Sequence, residues 1–187
     1  MSLSPVKREI LETLLLHDKP VRATQLAKET GKEFPPVMMH LIGLTRIGYA
    51  DSPEKSQYTI TEKGKRALGL PEINKENAEA ILTRTPREKA FHFYAGVGKP
   101  LNLYAHNLQD FCEKILKVNV DSIEFHMTRG DFAAWFAGLG DAELAKKVTL
   151  LKEKKMTGEE LRRKLDEIVQ NRCIELAKMA GHAVPSE

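Results

Sequence analysis

Tyr58-Thr59-Ile60-Thr61-Glu62-Lys63-Gly64-Lys65-Arg66-Ala67-Leu68 changes its period halfway along. Tyr58 and Ile60 alternate with polar residues, the pattern of a half-buried strand. Thr61 then stands where a helix N-cap is wanted, and Glu62 to Leu68 reads as a short helix stopped by Gly69-Leu70-Pro71. Upstream, Tyr49-Ala50-Asp51 and Gln57-Tyr58-Thr59-Ile60-Thr61 flank the polar run Ser52-Pro53-Glu54-Lys55-Ser56, which predicts a hairpin with a polar tip. Further back, Pro35-Pro36 open a helix in which Val37, Leu41, Leu44 and Ile47 recur on one face, and Gly48 closes it. A shorter helix, Ala23 to Thr30, turns Leu26 and Ala27 inward and ends at Gly31, a residue suited to a left-handed cap. Arg22 holds its cap position without a side-chain acceptor. Val6, Ile10, Leu11, Leu14 and Leu15 make a first amphipathic helix, with Pro5 near its start.

Taken in order, LAKETG, LTRIGYA and YTITEKGKRAL make residues 5–70 resemble the winged helix-turn-helix regulators of the MarR and PadR type. The resemblance implies three helices and a β-hairpin wing, with the third helix in the major groove of double-stranded DNA and the wing on its backbone or minor groove. It nominates Met38, Met39, His40, Thr45 and Arg46 on that helix, Lys32 before it, and Lys55 and Gln57 at the wing. His40 and Thr45 can bond to base edges and Arg46 to a phosphate, whereas Met38, Met39 and Ile42 can only touch a thymine methyl. A helix this apolar has a second reading, packing against protein, and winged helices also serve as protein-interaction modules.

The bulk composition fits a globular protein. Of 187 residues, 42% are hydrophobic and 29% charged. No run approaches the roughly 18 apolar residues of a membrane span, and the first residues read as an amphipathic helix and not as a signal peptide. A cytoplasmic location is expected. Residues 1–70 hold 11 Lys and Arg against 8 Asp and Glu, while the remainder balances at 18 and 18, so the whole net charge of +3 lies in the first third. That suits a nucleic-acid contact but is small. Cys112 and Cys173 belong to no CxxC pair and are expected to be reduced, mostly buried thiols.

Residues 71–87 read as a linker and connecting helix, with apolar Ala78, Ile81 and Leu82. Residues 88–187 read as an α-helical domain for dimerisation, sensing or partner docking. Asn107, Asp121, Asp131 and Asp141 are placed to cap successive helices, and Thr157 with Glu160 spells a capping box. The box opens a long helix whose inner stripe is Leu161, Leu165, Ile168, Val169, Cys173, Leu176 and Ala180. Such a stripe serves internal packing or a homodimer seam. The run Ala90-Phe91-His92-Phe93-Tyr94 is too short for its period to separate strand from helix end. AFHFYAGVGKP and SIEFHMTRGDFAAWFAGLGDAELAKKV make residues 88–150 resemble an uncharacterised archaeal and bacterial domain, which supplies no chemistry.

Gly96-x-Gly98-Lys99 lacks the spacing of a phosphate loop, and Pro100 stands where a magnesium-binding hydroxyl belongs, so it reads as a turn. His92, His106, His126 and Cys112 lack zinc-site spacing. His92 and His126 read as hydrogen-bonded core or pocket-edge histidines, or, with Tyr94, Arg129 and Trp135, as the lining of a pocket for a small effector. No catalytic constellation can be defended, so no enzyme activity, metal or cofactor is expected. The sequence therefore predicts a mainly helical, dimeric, DNA-binding transcription regulator of archaeal type, or a winged-helix adaptor that binds protein and not DNA.

Overall fold

A computed structural model describes residues 3–182. The chain is mainly helical and divides into two compact units, Met1–Glu72 and Ile73–Glu187.

The first unit runs α1 (Pro5–Leu15), β1 (Val21–Arg22), α2 (Ala23–Thr30), α3 (Phe34–Arg46), β2 (Ala50–Glu54), β3 (Gln57–Ile60) and α4 (Glu62–Ala67). Ser4 caps α1 by accepting from the Lys7 N–H, and Pro5 occupies the first turn, where its missing N–H costs nothing. Gly31 ends α2 at φ +64° and leads through Lys32 and Glu33 into α3. Ile10, Leu14, Leu26, Val37, Leu41 and Leu44 meet in one core and are essentially solvent-free. Each such side chain contributes about 1.5–3 kcal/mol of burial free energy. Ile47 does not join them. Helix α3 ends at Arg46, and Ile47, at its C-cap, is 43% exposed.

The three strands form an antiparallel sheet in the order β1-β3-β2, with Val21 opposite Tyr58 and Ala50 opposite Ile60. Strand β1 was invisible in the sequence because two residues carry no period. Its register comes from pairing with β3, far along the chain. The hairpin is also tighter than the polar run suggested. Strand β2 continues through Pro53 to Glu54, with a register shift between Asp51 and Glu54, and only Lys55 and Ser56 turn the chain. Ser56 adopts φ +60° to do so.

The second unit runs α5 (Lys75–Leu82), a 3-10 turn (Arg87–Lys89), β4 (Phe91–Gly96), β5 (Lys99–Ala105), α6 (Leu108–Ile115), α7 (Val120–Arg129), α8 (Asp131–Gly138), α9 (Ala142–Glu153) and α10 (Gly158–Ala180). It is thus not purely helical. The aromatic run is strand β4, with Phe91 and Phe93 buried and His92 and Tyr94 half-buried between them. It pairs with β5 through the turn at Val97-Gly98, so the glycine-rich motif is a hairpin tip. Phe91, Phe93, Phe111, Phe132 and Phe136 form the aromatic part of the core.

Asn74, Asn107 and Asp141 cap their helices through the side chain. Three other cap expectations fail for local reasons. Asn119, not Asp121, caps α7 by accepting from the Asp121 N–H. Left-handed Gly130 joins α7 to α8, which releases the Asp131 carboxylate for other partners. Thr157 makes no side-chain cap bond, and the Gly158 N–H instead donates to Glu124 Oε1 at 2.6 Å.

The stripe of α10 is covered by α5, α6, α7 and α9 of the same unit, so it is internal packing and not a dimer seam. Helix α5 accordingly packs within this unit. The stripe also holds a buried charge. Arg172, 1% exposed, forks onto both oxygens of Asp141, at 2.8 Å from Nε and 3.0 Å from Nη2. Glu143 and Glu175 approach its Nη1 at 3.2 and 2.6 Å.

Candidate functional site

On α3, a stripe at spacings of four, three and four points away from the core: Pro35, Met39, Ile42 and Arg46. Met39 is 69% exposed and Ile42 40%. The open backbone of Gly43 lies beside them, with nothing within 4 Å of where a Cβ would stand. Arg46 is exposed, as are Lys28 on α2, Arg22 on β1 and Lys55 at the hairpin tip. Among the described residues, none of these four cations has a hydrogen-bond or ion-pair partner on its side chain. His40 is half-buried at the edge of the stripe.

The other nominated residues of this unit are buried or engaged elsewhere. Met38 turns toward the core and accepts a hydrogen bond from the Tyr58 hydroxyl at 3.7 Å. The Thr45 hydroxyl is buried without a hydrogen-bond partner among the described residues, so it offers nothing to a groove. Lys32 is neutralised by Glu9 at 2.7 Å, and the Gln57 amide donates to Glu54 inside the hairpin. The exposed face of α3 therefore carries one strong hydrogen-bonding side chain, Arg46.

In the second unit, His92, Tyr94, His126 and Arg129 line one pocket of about 400 Å³. Strand β4, the Gly96–Gly98 tip and α7 form its walls, with Phe91, Phe125 and Asp131. Trp135 does not line it. Its indole N–H donates to the Lys89 carbonyl, and its ring packs 5.6 Å from Phe91.

His126 anchors the pocket floor and is 3% exposed. The Tyr94 backbone N–H donates to its Nε2 at 2.9 Å, so Nε2 carries no proton and Nδ1 does. Nδ1–H then donates to Asp131 Oδ2 at 2.8 Å. Burial holds the ring below the usual histidine range; Asp131 acts in the opposite sense and Arg129 adds to the lowering. Neutral His126 with both nitrogens bonded is a fixed bracket between β4 and α8, and neither nitrogen is available as a metal ligand or general base. The Ser122 hydroxyl, donating to the Tyr94 carbonyl at 2.7 Å, clamps the same residue from α7.

The remaining histidines are also occupied. His92 Nε2 lies 2.8 Å from the Arg87 carbonyl and His106 Nδ1 2.9 Å from that of Thr85. Among the described residues no three His, Cys, Asp or Glu side chains are grouped to hold a metal ion. The two cysteines, far apart in sequence, lie on α6 and α10, which pack together, and the neighbouring Cys173 pushes the Cys112 thiol up. Asp131, expected to cap α8, instead accepts from His126 and Arg129. Its spacing of five from His126 and two from Arg129 was the available signal, hidden by its fitness as a cap.

No described helix is long and apolar enough to cross a membrane. No curated protein and no solved structure matches the chain. Residues 70–170 match a family of unknown function (DUF5752), a span that contains the pocket but leaves α3 and the hairpin outside it.

Proposed function

Because the chain belongs to DUF5752, a family without an assigned activity, its surfaces must carry the functional reading, and we propose that Met1–Glu72 is a winged helix that contacts double-stranded DNA in a transcription regulator. The observation that carries this is the outward stripe of α3 beside a hairpin whose two-residue tip bears Lys55. Helix α2, a short turn and α3 have the order of a helix-turn-helix, and β2–β3 has the place of a wing. Unpaired Arg22, Lys28, Arg46 and Lys55 suit phosphates, and Met39 and Ile42 suit thymine methyl groups. With Arg46 as the one strong donor on the stripe, affinity is expected to exceed base discrimination.

Fluorescence anisotropy with duplexes selected from genomic fragments tests this. With about four phosphate contacts, affinity drops roughly 100-fold between 50 and 200 mM salt, and Arg46→Ala with Lys55→Ala reduces the salt slope by about two. Failure of any selected duplex to bind at low salt overturns the proposal.

A second reading rests on one specific observation: the exposed stripe of α3 is largely apolar, with Met39 and Ile42 at its centre. Such a surface suits a partner protein in place of DNA. Met39→Gln separates the two, since it removes apolar surface a protein partner would bury and adds no charge, so capture of the partner weakens while the salt slope set by the cations is kept. Met39 is the residue to change because Met38 contributes to the core.

A further inference from the structure

We propose that the pocket formed by β4, the β4–β5 tip and α7 binds small organic carboxylates with an apolar, preferably flat, body, and that Arg129 is the group that takes the carboxylate. The inference does not depend on DNA binding by the first unit.

The walls set the body of the ligand. Phe91, Tyr94, Val97 and Phe125 present apolar surface to a volume of about 400 Å³, within the range of roughly 300–1,000 Å³ typical of small-molecule sites. The polar groups set its head. His126 has both nitrogens bonded and offers neither donor nor acceptor. Asp131 Oδ2 already accepts from His126 Nδ1–H and from Arg129 Nε–H, the latter at 3.1 Å. His92 is tied through Nε2 to the Arg87 carbonyl, and the Tyr94 hydroxyl can add one hydrogen bond to a ligand, but the guanidinium of Arg129 is the group in the lining that carries a permanent positive charge. Its Nε edge is tied to Asp131, its plane lies over the Phe125 ring with Cζ 5.1 Å from the centroid, and its side chain is 53% exposed. The two Nη groups, with no partner among the described residues, form a fork whose direction is already fixed on two sides. A fork of this kind matches a carboxylate by two parallel hydrogen bonds and loses little entropy in doing so. Asp131 lies on the Nε side, so a second anion is repelled there and directed to the Nη edge. A neutral ligand of the same shape fills the walls but leaves the fork unused.

The chain provides its own reporter. Trp135 is its one tryptophan and meets Phe91, a wall residue, edge to face without itself entering the pocket. The experiment titrates the full-length protein with 3-phenylpropionate and, as the uncharged match, 3-phenylpropionamide, and reads Trp135 fluorescence together with backbone amide shifts by NMR. The expected result is a Kd for the carboxylate below about 1 mM, shifts centred on Tyr94, Val97 and Phe125, and at least about tenfold weaker binding of the amide. Arg129→Gln removes that preference and leaves the amide's weak binding in place; Arg129→Lys, which keeps charge but not the fork, restores only part of it. Circular dichroism confirms that each variant is folded, and Arg129→Lys carries the comparison if Arg129→Gln is not. Equal affinities for acid and amide, a preference that survives Arg129→Gln, or shifts confined to the first unit overturns the proposal. So does failure of the carboxylate to bind at several times that concentration. Loss of DNA binding has no bearing on any of these readouts.

Discussion

Gly64 sits directly over the Tyr49 carbonyl: a Cβ at Gly64 would stand 2.1 Å from that oxygen and 2.9 Å from Ile60 Cγ1. The close approach follows from the corner that precedes it. Thr61 donates its backbone N–H to the Tyr49 carbonyl at 3.1 Å and its hydroxyl to the Gly48 carbonyl at 2.6 Å, while Oγ1 accepts from the Gly64 N–H at 3.0 Å. Strand β3, the end of α3 and α4 are thereby drawn onto one point. Gly64→Ala is expected to destabilise the first unit by about 2–4 kcal/mol, because the obstacle is backbone and cannot swing aside. Gly43→Ala is the counterpart: it lies in open space within α3 and should stabilise by up to about 1 kcal/mol. Urea unfolding followed by NMR signals of the first unit checks both. A tolerated Gly64→Ala would mean that the corner is looser than this geometry.

The same corner shows why much of the first unit was legible. Strand period, cap and glycine fall within eleven residues, and each requirement is local. What escaped the sequence is non-local. Val21-Arg22 is a strand only because β3 lies beside it. Lys99–Ala105, with its proline and the exposed Leu101, has no buried alternation of its own and is a strand only because β4 pairs with it. Thr157 had the spelling of a capping box, but a glutamate on α7 reached the helix start first. Arg172 was passed over inside an apolar stripe because the carboxylate that makes its burial tolerable lies 31 residues away. In the pocket, His92, Tyr94, His126 and Arg129 could be grouped from their aromatic company, whereas Asp131 bonds sideways to the histidine and Trp135, half-buried, packs on Phe91 and Phe111 outside it.

His126 makes the stability of the second unit depend on acid. Its protonation would place an Nε2–H against the Tyr94 N–H, donor against donor, and burial opposes the charge as well. The unfolded chain takes up this proton near pH 6.5, the folded one only at lower pH. Stability is therefore complete above about pH 6.5 and declines as the pH falls below it, by at most about 1.4 kcal/mol per pH unit, until the folded ring also protonates. The measurement is the urea midpoint of the second unit against pH. His126→Gln should lower the midpoint at neutral pH and flatten the decline below pH 6.5. An unchanged slope would assign the acid sensitivity to other groups.

Arg172 and Asp141 stand or fall together. Burial alone would lower the affinity of the guanidinium for its proton, but Asp141 outweighs it, with help from Glu143 and Glu175, and the net effect is upward. Asp141 also caps α9 by accepting from the Leu144 N–H at 3.0 Å, so one carboxylate serves both helices. Arg172→Met leaves Asp141 buried without its cation and is expected to cost about 3–5 kcal/mol. Asp141→Asn keeps a cap acceptor but loses the charge and should cost a similar amount. In the double variant the combined loss should fall short of the sum by more than about 1 kcal/mol, the mark of direct coupling. Additive losses from chemical denaturation would show that the pair is two separate defects.

Cys112 should be the slow thiol of the pair. The neighbouring Cys173 pushes its proton affinity up, burial adds to this, and the Asp166 carboxylate adds further. Alkylation proceeds through the thiolate, so each of these effects protects it. Cys173 is only partly covered. With iodoacetamide at pH 8, peptide mass mapping should find label on Cys173 first and on Cys112 at least about 100-fold more slowly than in denaturant. Cys173→Ala removes the strongest of the three influences and opens the α6–α10 contact, so it should speed labelling of Cys112 without matching the denatured rate. Labelling of both sites at one rate in the native protein would show that Cys112 is not protected by burial and its neighbours.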